Sequence, residues 1–235
     1  MSPRTPAPRS RRERPAKPAL TYEGIVHTAV RLMQTEGLQR VTMRRLAQEL
    51  DTGPASLYVY VANTAELHAA ILEKLLGAVD LTQATAAGDW RRRLVAVLDS
   101  YTWVLFEQPS LAQSALVARP SGPNYLALVE AILALLHEGG VPDEQAAWAV
   151  DVLLLVATAT AAEHSARRSA DDDAADELSY LTAAIAGVDP VKHPRTSALG
   201  TDLVSGAPRE RLTWFFHVLI NGTLATPRRA GSPDA

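Results

Sequence analysis

"TMRRLAQELDTGPASLYVYVAN", residues 42–63, is the stretch whose reading decides the fold. Thr42 suits a helix N-cap, and Leu46, Ala47 and Leu50 follow on one apolar face. Asp51-Thr52-Gly53 then interrupts the pattern with residues that tolerate turn geometry. Pro54 stands where a first helical residue loses nothing by lacking an N–H, and Leu57 and Val61 supply an apolar side one turn apart. The spacing predicts two short helices joined by a three-residue turn, the second running from Pro54 through Val61. That second helix carries no charge, yet it displays Ala55, Ser56, Tyr58 and Tyr60.

On the N-terminal side, Thr21 caps a helix with Ile25, Ala29, Leu32 and Met33 on one face, and Gly37 stops it. On the C-terminal side, Asn63 and Glu66 form a capping-box pattern ahead of Leu67, Ile71 and Leu75, and this helix fades near Gly77. Longer helices follow. Trp90, Leu94, Val97, Leu98, Tyr101 and Leu105 make one stripe that Pro109 ends, and residues 110–118 read as a short helix closed by Arg119-Pro120. Tyr125, Leu128, Val129, Ile132, Leu133 and Leu136 occupy two adjacent faces of the next helix. Residues 143–168 are apolar nearly all round from Trp148 to Ala159, so they are expected at the centre of the body or of a dimer. Residues 178–186 suggest a short helix, 187–206 a loop rich in Pro, Gly and small polar residues, and 208–225 a last helix with Leu212, Phe215, Phe216, Leu219 and Ile220.

The fold class expected is therefore all-α. It divides into a flexible basic arm at 1–19, a three-helix unit at 20–66, a larger helical body at 67–226 and a tail at 227–235. The chain has 235 residues, enough for one or two compact units, with 47% hydrophobic and only 6% aromatic residues and few of the alternating β-branched patterns that mark strands. It has no cysteine, which excludes disulfides and thiolate metal sites and suits a reducing, cytoplasmic setting. No run of 18 apolar residues and no apolar stretch behind the N-terminus is present, so neither a membrane span nor a signal peptide is expected. The net charge of −3 hides a segregation: residues 1–20 hold Arg4, Arg9, Arg11, Arg12, Arg14 and Lys17 against Glu13 alone, and the acids dominate the rest. An acidic body with a basic arm can still approach a phosphate backbone.

Residues 21–75, and "VTMRRLAQELDTGPASLYVYVANTAELHAAIL" within them, resemble the DNA-binding domain of the tetracycline-repressor (TetR) family. The Leu-Tyr-x-Tyr-Val element before Asn63 is the most specific part of the match. Residues 89–165 look like the regulatory domain of the tetracycline-repressor branch. The resemblance implies a homodimeric regulator, most simply a repressor, that binds a pseudo-palindromic double-stranded DNA operator. It is then released by a small-molecule effector or, alternatively, controlled by a protein partner or by no ligand.

In that setting Arg44 matches the family's base-reading arginine, whose guanidinium can pair with guanine O6 and N7. Pro54 starts the recognition helix, Ala55 and Ser56 suit close approach to base edges, and Tyr58 and Tyr60 suit phosphate and sugar contacts. Thr42 can contact phosphate as well as cap its helix, and Thr64 stands where many relatives have a phosphate-binding Lys. Arg9, Arg11, Arg12 and Arg14 can track the backbone or a minor groove, as homeodomain arms do. The expected effector-site residues are Tyr101, Trp103, Phe106, Tyr125, Trp148 and His164. Where tetracycline repressors have a metal-ligating His, this chain has Ala115, so a different and mostly apolar effector is expected, with no metal and no cofactor.

Enzyme patterns fail on inspection. His137-Glu138 would need a second His where Val141 stands, and there is no Gly-x-Ser-x-Gly, dinucleotide fingerprint or phosphate loop. Asp171 to Asp173 lack the spaced ligands of a calcium loop, and nothing nucleophilic is tied to Glu163-His164.

Overall fold

The computed structural model describes residues 19–116, 120–169 and 173–228, and among them there are eleven α-helices and no strand. Helix α1, Tyr22–Glu36, begins where Thr21 Oγ1 accepts the Gly24 N–H at 3.1 Å. It ends at Gly37, whose N–H still reaches the Met33 carbonyl and whose φ of 85° then turns the chain out of the helix. Helix α2, Met43–Glu49, is capped by Thr42, and Leu46 and Ala47 are buried as the spacing requires. Asp51 takes φ 48°, the left-handed conformation a short polar side chain accepts at modest cost.

Helix α3 is shorter than expected. Only Pro54–Leu57 is α-helical, and Tyr58–Tyr60 continue as turns in which the N–H groups of Tyr60 and Val61 both return to the Leu57 carbonyl. Val59 and two flanking tyrosines are weak helix formers, so nothing local extends the first turn. Leu57 and Val61 nevertheless bury completely, as the one-turn spacing predicts.

Helix α4, Thr64–Leu76, crosses the expected boundary at 66/67 without interruption. Asn63 Oδ1 accepts the Glu66 N–H at 2.9 Å, and the Glu66 carboxylate reaches back to the N–H of Ala62, one residue before the cap itself. The helix packs on α1 with one side and on the body with the other.

The body comprises α5 (Trp90–Phe106), α6 (Pro109–Ala115), α7 (Pro123–Glu138), α8 (Asp143–Ser169), α9 (Asp173–Ala186), α10 (Pro194–Leu199) and α11 (Pro208–Ala225). Three expectations change. Helix α6 spans Pro109–Ala115 rather than 110–118, and α9 starts at Asp173 rather than 178. The segment 187–206 is not a plain loop: it holds α10 and a 3-10 turn at Gly200–Val204, with Pro194 at the first helical position, where a missing N–H is harmless. These two elements pack chiefly on α9 and on each other.

Helix α8 is the hub of the body, packed against α5, α6, α7 and α11. Its Asp143–Arg167 portion is long and apolar enough to cross a membrane, but half of that stretch is buried in the helical core. Leu94, Leu98, Leu128, Ile132, Leu153 and Phe216 have no exposed surface, and one continuous cluster joins them to Leu46, Leu57 and Leu67 of the N-terminal helices. The buried Arg93 guanidinium pairs with Glu138 and so ties α5 to the end of α7.

Gly139, just past α7, lies under the Trp90 indole, and a Cβ there would fall 2.4 Å from the ring. Gly139→Ala should therefore destabilise the protein by about 1–3 kcal/mol through overpacking, read from urea unfolding midpoints.

Candidate nucleic-acid interface and effector cavity

Across 54–61 only Leu57 and Val61 are buried, so Pro54, Ala55, Ser56, Tyr58, Val59 and Tyr60 form one exposed and uncharged surface. Sequence reasoning passed over Val59. It is 81% exposed, and a β-branched side chain held in solvent next to two tyrosines offers an apolar surface to a partner. Tyr58 is exposed, but Tyr60 differs from the expectation of a phosphate donor. Its hydroxyl proton is already given to the Leu20 carbonyl at 2.8 Å, which staples the end of the recognition segment to the chain entering α1.

Two neighbouring arginines on α2 are put to different uses. Arg45 is drawn back into the protein, with Nη2 2.5 Å from Glu36 Oε1, Nε 3.1 Å from Glu36 Oε2 and Nη1 2.9 Å from Glu49 Oε2. Those bonds, Glu36 first, push its pKa further up. Arg44 is exposed and makes no ion pair among the described residues, so its guanidinium is free to meet an anion. Thr42 Oγ1 is occupied as an acceptor by the Arg45 N–H, which leaves its proton to donate outward. Thr64 is exposed at the start of α4. Arg9, Arg11, Arg12 and Arg14 lie outside the described residues.

The six expected effector residues do not form one site. Tyr101 and Tyr125 line a cavity of about 160 Å³ together with Leu72 and Leu76 of α4, Ala115 and Leu116 around the end of α6, and Asp151 and Thr158 of α8. Thr158 gives its proton to the Leu154 carbonyl at 2.7 Å, so the Tyr101 hydroxyl must be the donor in its 2.7 Å bond to Thr158. Burial pushes the Tyr101 phenol above its ordinary pKa, and the Thr158 bond offsets part of that.

Trp103, Phe106 and His164 instead line a separate groove of about 680 Å³ with Asp99 and Arg209, at the start of α11. Trp148 lines neither. It faces outward on α8 with the Arg228 guanidinium 4.1 Å from its ring centroid. The reason is helix rotation: Trp103 is two residues past Tyr101 and therefore points about 200° away from it. Among the described residues no three His, Asp or Glu side chains converge to hold a metal ion.

The family model for the tetracyclin repressor-like C-terminal domain matches residues 83–207, and the model for bacterial regulatory proteins of the tetR family matches residues 25–71. The chain belongs to the TetR family. Membership makes it a DNA-binding transcriptional regulator built on a helix-turn-helix, as the opening stretch implied.

SCO7704, a Streptomyces protein described as a transcription regulator, is 56% identical and superposes with a TM-score of 0.76, covering 92% of this chain and 100% of that one. The TetR family protein ActR of Streptomyces coelicolor, solved in complex with actinorhodin, is 32% identical with a TM-score of 0.78, covering 88% of this chain and 97% of its own. The HTH-type transcriptional repressor DrrR1 of Streptomyces coeruleorubidus is 32% identical over 135 residues, 57% of this chain. The chain spans about half the length of the curated relatives it matches.

The two arginines predict opposite results. Arg45→Ala should lower the melting temperature, because it opens the links to Glu36 and Glu49, whereas Arg44→Ala should leave it unchanged within error. Tyr60→Phe should speed amide exchange at Gly24 and Ile25, whose N–H groups bond to Thr21, read by hydrogen exchange mass spectrometry, because the chain at Leu20 loses its anchor.

Proposed function

We propose that this TetR-family regulator is a homodimeric repressor that leaves a pseudo-palindromic operator when a small molecule fills the cavity bounded by α4, α5, α7 and α8. The observation that carries this reading is the double use of α4. Leu67 and Ile71 are buried in the core that includes the helix-turn-helix, while Leu72 and Leu76 of the same helix form a wall of the cavity. An occupant of the cavity therefore touches the element that carries the DNA-reading unit.

At the operator, Arg44 reads a guanine. Ala55, Ser56 and Val59 approach closely in the groove, and Tyr58, Thr42 and Thr64 meet the backbone, with Pro54 starting the helix between them. Tyr60 supports the segment through Leu20 and offers its ring. The residues of the basic arm, Arg9, Arg11, Arg12 and Arg14, neutralise further phosphates and so steepen the salt dependence.

Support for the dimer comes from exposed apolar side chains on the two helices expected to pair. Trp148, Val152 and Leu155 on α8, and Trp214, Phe215 and Val218 on α11, remain exposed in the single chain. Two copies joined through these faces form a four-helix interface and set the recognition segments about one helical turn of DNA apart.

The effector carries polar groups beside apolar surface, since Tyr101, Tyr125, Asp151 and Thr158 interrupt the aliphatic lining of the cavity. ActR was solved with actinorhodin, which makes that compound a sensible first probe.

Selection of a binding site from random DNA, followed by anisotropy titration, tests the reading. Arg44→Ala should lose about 1–3 kcal/mol of discrimination at one base pair of the selected site. Deleting residues 1–17 should flatten the slope of log affinity against log salt by about 0.9 for each phosphate that the arm neutralises. Trp214→Glu should shift the protein to monomer in sedimentation; a dimer that persists unchanged excludes this interface.

A further inference from the structure

We propose that Glu73 is the positioning residue through which a filled cavity moves the DNA-binding unit. The proposal rests on the reading that this cavity holds the effector. The first turn of a helix leaves N–H groups without intrahelical partners, and in α7 two of them are taken by one side chain from another helix. Glu73 Oε1 accepts the Asn124 N–H at 2.7 Å and Oε2 accepts the Tyr125 N–H at 3.2 Å. In return, the Asn124 side-chain amide donates to the Glu73 carbonyl at 3.0 Å. Three hydrogen bonds thus bracket the last turns of α4 to the first turn of α7.

The packing leaves this bracket little slack. Gly122, the N-cap of α7, lies so close that a Cβ there would fall 2.4 Å from Glu73 Cδ. At the next turn, a Cβ on Gly77 would meet the Asn124 side chain at 3.5 Å.

The bracket stands between two walls of the cavity. Leu72 and Leu76, on either side of Glu73 along α4, form one wall, and Tyr125, whose N–H Glu73 holds, forms another. An occupant that pushes Tyr125 away from Leu72 and Leu76 must either break charge-assisted hydrogen bonds or carry α4 with α7. Bonds to an ionised acceptor are roughly twice as strong as neutral ones, so α4 moves. Its far end is capped by Asn63, two residues beyond the buried Val61 of the recognition segment, and the displacement is delivered there. The size of the response is bounded by the ligand's preference between the two arrangements.

The absence of cysteine allows a test that does not require the natural effector. Ala115→Cys puts a single thiol on the cavity wall, and benzyl methanethiosulfonate then tethers a benzyl group there as a mixed disulfide. Affinity is measured for the duplex recovered by selection, before labelling, after labelling and after reduction with dithiothreitol. With Glu73 in place, the label should weaken binding at least about tenfold, and reduction should restore it.

Combined with Glu73→Gln, or with Gly122→Ala, which wedges the bracket from the other side, the same label should change affinity less than about threefold. The two substitutions together should do no more than either alone. A purely structural role would lower the melting temperature of these variants and leave the effect of the label intact. Should Gly122→Ala fail to fold, Asn124→Ala replaces it in the comparison.

Release as complete with Glu73→Gln as with Glu73 overturns the proposal while leaving the cavity reading standing. A label that fails to weaken binding even with Glu73 in place overturns both.

Discussion

Helix α4 must join the helix-turn-helix end and the body end of one continuous core with one set of side chains, and the rest of the structure depends on that constraint. Leu67 and Ile71 disappear into the cluster around Leu46 and Leu57, while Leu72 and Leu76 reach the boundary of the body. A helix that buries both faces cannot shift without disturbing both neighbours, because packed interiors transmit displacement rather than absorb it. The bracket from Glu73 to α7 adds a directional, charge-assisted link where apolar packing alone would allow sliding. No hinge residue interrupts this connection along α4.

The surface proposed to face DNA carries no formal charge, and the family's helix-turn-helix makes that physically coherent. Recognition needs close approach, and Ala55 and Ser56 leave the backbone unshielded, while Leu57 and Val61 hold the short segment against the core. Charge comes from outside the segment. Among the described residues Arg44 makes no ion pair, whereas its neighbour Arg45 holds the carboxylates of Glu36 and Glu49. Tyr60 is a structural part of the same device, fixing the segment to the entrance of α1 through Leu20.

In the body, α8 buries one face against α5, α6, α7 and α11, and its exposed face carries Trp148, Val152 and Leu155. The matching apolar face on α11 is the surface a second copy would cover. Splitting the expected effector residues between a cavity and a groove changes what an occupant could influence. Only the cavity with Tyr101 and Tyr125 has α4 in its wall, whereas the groove with Trp103, Phe106 and His164 is bounded by α5, α8 and α11.

Much of this was legible in the residues. Thr21, Thr42 and Asn63 mark helix starts by local hydrogen-bonding chemistry, Gly37 and Asp51 mark stops by their tolerance of positive φ, and Leu46, Leu57 and Val61 bury because their spacing leaves no other face. The same local rules missed α10, since a helix of six residues has too few apolar positions to show a period. They also could not divide the work of Arg44 and Arg45, or of Tyr101 and Trp103. Adjacent or near-adjacent residues of one type look alike in a sequence; Glu49, one turn along α2, favours Arg45 locally, and the positions of Glu36 on α1 and Thr158 on α8 complete the separation. The sequence by itself determined most of the helices, their caps and the uncharged segment at 54–61, because those follow from interactions within a few residues. Tertiary structure decided which aromatics share a cavity and how α4 is tied to α7, because each depends on the rotation and approach of helices far apart in the chain.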